Sequence, residues 1–110
     1  FTPVAFSFDS AHLTDLGKGQ VYLASQRLQE RGNLTIVVEG HADNRGDDGY
    51  NQKLGLQRAQ TVMNELTSFG IDPSRMSTAS VGEGKPLIEQ DTAWARAINR
   101  RVEFQVKSAK

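Results

Sequence analysis

The chain has 110 residues, and its 13 basic and 13 acidic side chains give a formal net charge of zero. A chain of this length predicts one domain with one core. The balanced charge argues against a nucleic-acid-binding protein and against electrostatic attachment to an anionic membrane. The chain contains no cysteine, which excludes disulfides and thiolate chemistry, and its longest apolar run is too short to cross a bilayer.

The N-terminus carries no recognisable signal peptide, and the first residue, Phe1, is not an initiator methionine. We therefore expect residues 1–110 to be one domain cut from a longer precursor, whose targeting information lies outside this sequence.

Strands and helices alternate along the first half of the chain. Residues 4–8 alternate between apolar and polar side chains, which predicts a half-buried strand. Apolar residues return at helical spacing over residues 13–31, and Leu16 and Leu23 are expected to belong to the buried stripe of that helix. Residues 34–39 are rich in β-branched side chains and predict a second strand.

The second half continues the same alternation. The clearest helical stripe of the chain runs over residues 56–69, and a strand is predicted at residues 76–81. A short helix at residues 91–98 and an alternating strand at residues 102–106 follow. The pattern predicts an α/β (α+β) fold, a two-layer βαβαβ(α)β sandwich with the helices on one face of a four-stranded mixed sheet.

Polar side chains concentrate between the second strand and the second long helix. Asp43 lies in this loop, and Arg58 is expected to emerge from the helix at the edge of the sheet. The ends of strands in open α/β sheets are common ligand sites. Because a carboxylate accepts hydrogen bonds from an ammonium and a guanidinium binds a carboxylate, Asp43 and Arg58 together are suited to a zwitterionic ligand.

At these positions the sequence resembles the OmpA C-terminal-like family, which includes peptidoglycan-associated lipoproteins and flagellar stator subunits. Six motifs occur in the family's order and spacing: Phe6-Ser7-Phe8-Asp9, Gly40-His41-Ala42-Asp43 with Gly46, Tyr50-Asn51, Arg58-Ala59, Gly82-x-Gly84-x-Pro86 and Asn99-Arg100-Arg101. Gly55 resembles the lipoprotein branch, whereas Ser10 and Trp94 depart from the family pattern, and Trp94 leaves open an additional partner surface.

The resemblance implies that the last strand inserts into the sheet beside the first. It also implies non-covalent binding of peptidoglycan through the meso-diaminopimelate of the peptide stem, with Asp43 and Arg58 as the central ligand-binding pair. The same groove is expected to include Phe8, Asp9, Ala42, Asn51, Leu54 and Arg101. Such a domain is expected in the periplasm, where the part of the protein preceding this sequence would attach it to the outer or inner membrane.

Other functions remain open at this point. A protein-interaction or dimerisation module of a stator or secretion complex, including a homodimer, is the main alternative, and a peptidoglycan hydrolase using His41 and Asp43 is a weaker one. No nucleophile with an adjacent base is evident, so no enzyme activity and no cofactor are expected. A metal site at His41 and Asp43 is also not expected, because the sequence shows no third ligand beside them; His41 is instead expected to bond a backbone group of its loop.

Overall fold

A computed structural model describes residues 1–108, which form four strands, three α-helices and one 3-10 turn at Pro73–Arg75. The strands are β1 (Val4–Ala5), β2 (Leu34–His41), β3 (Met76–Gly82) and β4 (Arg101–Ser108), and the helices are α1 (Asp15–Glu30), α2 (Asp48–Ser68) and α3 (Ala93–Asn99). Among these described helices, none is both long and apolar enough to traverse a lipid bilayer.

The four strands form one mixed sheet in the order β1-β4-β2-β3. β2 and β3 run parallel, and β4 is antiparallel to both of its neighbours, with Val4 opposite Val102 and Glu39 opposite Glu103. The last strand therefore lies beside the first, as the resemblance implied, and the predicted α/β fold with a mixed four-stranded sheet is confirmed.

The core lies between one face of the sheet and the two long helices. Ile36 and Val38, two residues apart on β2, point to the same face and are buried. Val21 of α1 and Val62 of α2 belong to the same core cluster. Alternation in the strands and helical spacing in the helices thus bring their apolar side chains into one interior.

Helix α2 approaches the sheet closely where two glycines face each other. A Cβ atom added to Gly40 of β2 would overlap the backbone of Gly55 of α2, and a Cβ on Gly55 would overlap the hydroxyl of Ser80 on β3. The small residues at these three positions let the helix backbone rest on β2 and β3. This contact fixes the beginning of α2 beside the end of β2.

Two local predictions were wrong. β1 pairs only over Val4–Ala5, although Phe6 is buried and its N–H still donates to the carbonyl of Arg100 (2.9 Å). Leu16 and Leu23 are exposed on α1, because the buried face of that helix is made by residues of smaller or branched type: Gly17, Val21, Ala24, Ser25 and Leu28.

Candidate ligand-binding site

A cavity of about 240 Å³ opens where β2 ends and α2 begins. It lies between the loop after β1, the loop that joins β2 to α2, and the first turns of α2. The lining residues are Phe8, Asp9, Ala42, Asp43, Arg45, Gly46, Tyr50, Asn51, Leu54 and Arg58. Seven of the eight residues predicted for the groove are therefore brought together here, and Arg101 is the exception.

Arg58 is held in the cavity wall by three backbone carbonyl groups. Its Nε donates to Ser10 O (2.8 Å), its Nη1 to His41 O (2.8 Å) and its Nη2 to Ser7 O (3.0 Å). A guanidinium has five N–H groups. Within the described residues these bonds use three of them, so each terminal nitrogen keeps one N–H without a hydrogen-bond partner.

The charge of Arg58 persists in this environment although the residue is 0% exposed. Burial and the positive charge of Arg100 lower the pKa of Arg58 to about 10, and the negative charges of Asp43 and Asp9 oppose that change. The guanidinium therefore remains protonated at neutral pH, so the cavity wall contains a fixed, desolvated cation.

Asp43 is 4% exposed and accepts hydrogen bonds from two arginines. Its Oδ1 accepts from the backbone N–H of Arg45 (2.9 Å), and its Oδ2 accepts from Arg45 Nη2 and Arg100 Nη1 (both 3.2 Å). Burial acts to raise the pKa of the Asp43 carboxyl, but these hydrogen bonds outweigh it, and the pKa lies below the usual range. Asp43 is therefore ionised at neutral pH.

Asp43 and Arg58 line the same cavity without a hydrogen bond between them. The acid is bonded to Arg45 and Arg100, and Arg58 is bonded to backbone carbonyls. The two charges are thus held apart by separate partners, each with its own orientation. This arrangement suits a ligand that carries both charges, because Asp43 and Arg58 have no hydrogen bond to each other that the ligand would have to break.

Aromatic side chains form the rim of the cavity. Phe8 and Tyr50 are both about half exposed, and the guanidinium carbon of Arg45 lies 3.8 Å from the centre of the Phe8 ring. The hydroxyl of Tyr50 donates to Asp9, which joins α2 to the loop after β1. Asp9 has a positive φ of 52°, a backbone conformation that aspartate tolerates better than most residues. The rim is therefore built by contacts between distant segments.

Asn51 positions the loop that carries Asp43. Its side-chain amide is 1% exposed and donates to Asp43 O (3.3 Å) and to Glu83 Oε1 (2.7 Å). The N–H of Ala42 also donates to Gly82 O (2.9 Å). These bonds tie the loop after β2 to the end of β3, while Leu54 contributes an apolar wall to the cavity.

Arg101 lies outside the cavity, contrary to the expectation for it. Its Nε bonds Glu103 (2.5 Å), and its terminal nitrogens donate to Asn99 O (3.2 Å) and Lys85 O (3.0 Å). Arg100 reaches Asp43 instead. The two arginines differ because Arg100 is the C-cap of α3, whereas Arg101 is the first residue of β4.

His41 also differs from its prediction. Its Nε2 lies 2.9 Å from the carboxylate of Glu39, not beside a backbone group of the loop. Burial and the nearby charge of Arg101 lower the pKa of His41, and the hydrogen bond to Glu39 opposes that effect. The ring is therefore neutral at neutral pH, while the backbone carbonyl of the same residue accepts from Arg58.

Sequence reasoning missed three residues that contribute to the site. Arg45 and Arg100 bond Asp43, and Tyr50 forms part of the rim. The sequence contained a signal for Tyr50, which belongs to one of the six motifs. Arg45 follows Asp43 by two residues, a spacing at which an aspartate commonly accepts from the backbone. Arg100 also belongs to one of the six motifs, but within that motif Arg101 was assigned to the groove, and the choice between them depends on where the last strand begins.

Comparison with known proteins shows the family of this chain. A model of the OmpA family matches residues 5–100. This chain belongs to the OmpA family. It is 34% identical to outer membrane porin F of Pseudomonas aeruginosa over 106 residues, 96% of this chain and 30% of the porin. It is 37% identical to the peptidoglycan-associated lipoprotein of Agrobacterium fabrum over 98 residues, 89% of this chain and 55% of the lipoprotein.

Solved structures show the same OmpA-family fold. The crystal structure of the peptidoglycan-associated lipoprotein from Burkholderia pseudomallei superposes with a TM-score of 0.91 at 29% identity, covering 97% of this chain and 91% of the other. By contrast, the chain spans only about a third to a half of the full-length curated relatives named above. All ten residues that line the cavity lie within the part matched by the OmpA-family model.

Proposed function

We propose that this OmpA-family domain binds peptidoglycan non-covalently, catalyses no reaction, and anchors an envelope protein to the cell wall. The observation that carries the proposal is the pairing of an ionised carboxylate, Asp43, with a protonated guanidinium, Arg58, in one partly desolvated cavity. The names of two relatives, both peptidoglycan-associated lipoproteins, support the same ligand class.

The ligand group proposed for the cavity is the side-chain end of meso-diaminopimelate in the peptide stem. That end carries an ammonium and a carboxylate on one carbon. The ammonium would donate to Asp43, and the carboxylate would accept from the remaining N–H groups of Arg58. The volume of about 240 Å³ is below the roughly 300–1,000 Å³ of pockets that enclose whole small molecules. It suits the end of a side chain whose glycan and remaining peptide stay outside.

A hydrolase is disfavoured by the chemistry of the residues in the cavity. The described lining contains no serine, threonine, cysteine or lysine beside a general base. The ring of His41 is turned to Glu39, so it is not available as an acid or base in the cavity. Binding without catalysis is the function that this lining supports.

The proposed location is the periplasm, with the rest of the protein attached to a membrane. Relatives include an outer membrane porin and lipoproteins, which supports an envelope protein. Their greater length supports the proposal that this chain is the wall-binding part of a larger protein.

Titration calorimetry with meso-diaminopimelate tests the proposed site. The parent should bind, and Asp43→Asn should lose about 2–5 kcal/mol of binding free energy, because the ligand ammonium is left without its anionic partner. Asp48→Asn is the matched control, since Asp48 is exposed at the start of α2 and outside the cavity. A short stem peptide with lysine in place of diaminopimelate, whose side chain ends in an ammonium alone, should bind more weakly than the diaminopimelate peptide. Unchanged binding by a folded Asp43→Asn variant would contradict this mechanism.

A protein-contact function is a second candidate, favoured by one surface. Trp94 and Ile98 are exposed one helical turn apart on α3, and Leu87 is exposed beside the same region. Leu87 and Ile98 share a hollow of about 250 Å³ with Pro3 and Ala5. If this surface binds a second copy, sedimentation velocity should show a dimer that Ile98→Glu disrupts. A monomer at all concentrations would argue against self-association.

A further inference from the structure

A second polar cluster lies on the face of the sheet opposite the helices. Glu39 alternates with the buried Ile36 and Val38 along β2, so it points to the other face. Glu103 lies directly opposite it on β4. Two carboxylates in register on neighbouring strands repel each other, which costs stability unless a cation lies between them.

His41 completes this cluster through a local irregularity of β2. The register of β2 against β3 shifts between Gly40 and His41, and the imidazole bonds Glu39 two residues earlier. One ligand-type atom from each of Glu39, His41 and Glu103 lies within 4.8 Å of the other two. Around a zinc ion with bonds of roughly 2.1 Å, donor atoms lie about 3.4 Å apart. The observed separations, 2.9 Å between His41 Nε2 and Glu39 Oε1 and at most 4.8 Å within the three-residue set, lie on either side of that value.

The charges of the cluster leave a negative surplus. Arg101 donates to Oε2 of Glu103 and so neutralises one of the two carboxylates. Among the described residues no lysine or arginine pairs with the other carboxylate, Glu39, whose Oε1 lies 2.9 Å from His41 Nε2 and accepts from Gln105 Nε2 (3.4 Å), so two carboxylates share one guanidinium. Glu103 retains a second oxygen besides the one that bonds Arg101. A cation bound between Glu39 and Glu103 would offset the repulsion between the two carboxylates.

The cluster is sheltered and still open to solvent on one side. The side chain of His41 is 1% exposed, and those of Glu39 and Glu103 are 13% and 23% exposed. The buried imidazole would supply a nitrogen ligand in a fixed position, and a metal ion could reach it from the side of the partly exposed carboxylates. This combination of one nitrogen and two carboxylate oxygens suits zinc and similar transition metals better than magnesium or calcium, which prefer oxygen ligands alone.

We propose that Glu39, His41 and Glu103 bind one divalent transition-metal ion of the zinc class on the open face of the sheet, with water as the remaining ligand. The site does not share a side chain with the cavity that contains Asp43 and Arg58, so it does not depend on the proposed wall binding. His41 nevertheless links the two regions, because its ring belongs to the cluster and its carbonyl holds Arg58.

Calorimetric titration of tag-free, chelator-treated protein with zinc chloride tests the site. The parent should bind one zinc ion per chain. Glu39→Gln and Glu103→Gln should each lower the affinity roughly tenfold or more, since each removes one ligand. Both replacements preserve side-chain size and remove a mutual repulsion, so the variants should remain folded, as circular dichroism would verify.

Two control variants separate this cluster from incidental surface binding. His12 is the other histidine of the chain and is exposed, and Glu89 is an exposed carboxylate. His12→Gln and Glu89→Gln should bind zinc as the parent does. Absence of zinc binding by the parent up to about 1 mM, a range weaker than any structural zinc site, would overturn the proposal. So would undiminished binding by both cluster variants, or loss of binding in His12→Gln.

Discussion

Arg58 shows how one side chain can serve a ligand site and the fold together. Its three hydrogen bonds reach carbonyls of the loop after β1 and the end of β2, so it connects segments that are distant in sequence. Sequence reasoning treated Arg58 only as a ligand-binding residue. The structure instead makes it a structural residue as well, because its removal leaves three carbonyls without their donor.

We expect Arg58→Ala to lower the free energy of unfolding by about 3 kcal/mol, through the loss of charge-assisted hydrogen bonds in a buried position. Arg58→Lys preserves the positive charge but replaces the planar guanidinium with an ammonium. It should lower the free energy of unfolding by a smaller amount that is still measurable. Urea denaturation of the parent and both variants measures these differences. An Arg58→Ala variant as stable as the parent would show that the carbonyls find other donors.

Asp43 should make the stability depend on pH in acid. Its pKa in the folded chain lies below the ordinary value, so the ionised form is favoured by folding. Its contribution to stability is fully present above the unfolded pKa of about 3.9 and is lost as pH falls through the lower folded value. The difference in unfolding free energy between the parent and Asp43→Asn should therefore be constant from about pH 7 to pH 5 and shrink below about pH 4. Denaturation at a series of pH values checks this, and a difference that grows in acid would contradict it.

At the scale of elements, the position of the site depends on how α2 rests on the sheet. Gly40, Gly55 and Ser80 allow the helix backbone to approach β2 and β3 more closely than side chains would permit. The beginning of α2 is thereby fixed beside the loop that carries Asp43. Arg58, one turn after Gly55, then reaches the carbonyl of His41 at the end of β2.

Gly40→Ala should lower the free energy of unfolding by about 3 kcal/mol or prevent folding, because the new methyl group overlaps the backbone of α2 and neither element can yield independently. Gly19→Ala is the matched control. Gly19 lies in α1 with nothing near its added Cβ, so this change should stabilise the protein by about 0.5–1 kcal/mol. Thermal and urea denaturation compare the two variants, and a harmless Gly40→Ala would contradict the close approach.

At the scale of the whole molecule, the formal net charge is zero. The two charges proposed to bind a ligand, Asp43 and Arg58, line a cavity in a chain whose acidic and basic side chains are equal in number. Long-range attraction of a charged wall fragment is therefore weak, and short-range contacts must provide the specificity.

We expect the association rate of a soluble muropeptide to change by less than about threefold between roughly 0.02 and 0.2 M salt, because no net field is present for the ions to screen. Stopped-flow or surface-plasmon measurements at several salt concentrations test this expectation. A tenfold fall in the association rate would indicate that a local charged surface steers the ligand.

The sequence by itself determined the order of the elements and most of the core. Alternation in residues 102–106 and the helical spacing after Leu54 depend on local chemistry, which is readable without knowledge of distant contacts. The motifs also located seven of the eight residues predicted for the groove, because six motifs in register constrain the fold as a whole. Leu16 and Leu23 were misplaced, since apolar character alone does not say which side of a helix meets the sheet.

Only the tertiary structure decided which groups hold the predicted site in place. Arg100, not Arg101, bonds Asp43, because Arg100 is the C-cap of α3 and β4 begins only at the next residue. Glu39 and Glu103 are 64 positions apart by number and meet only through the register of β2 against β4. Such pairings depend on strand order, register and the irregularity at His41, which are set by the packing of the whole chain and leave no local signature in the sequence.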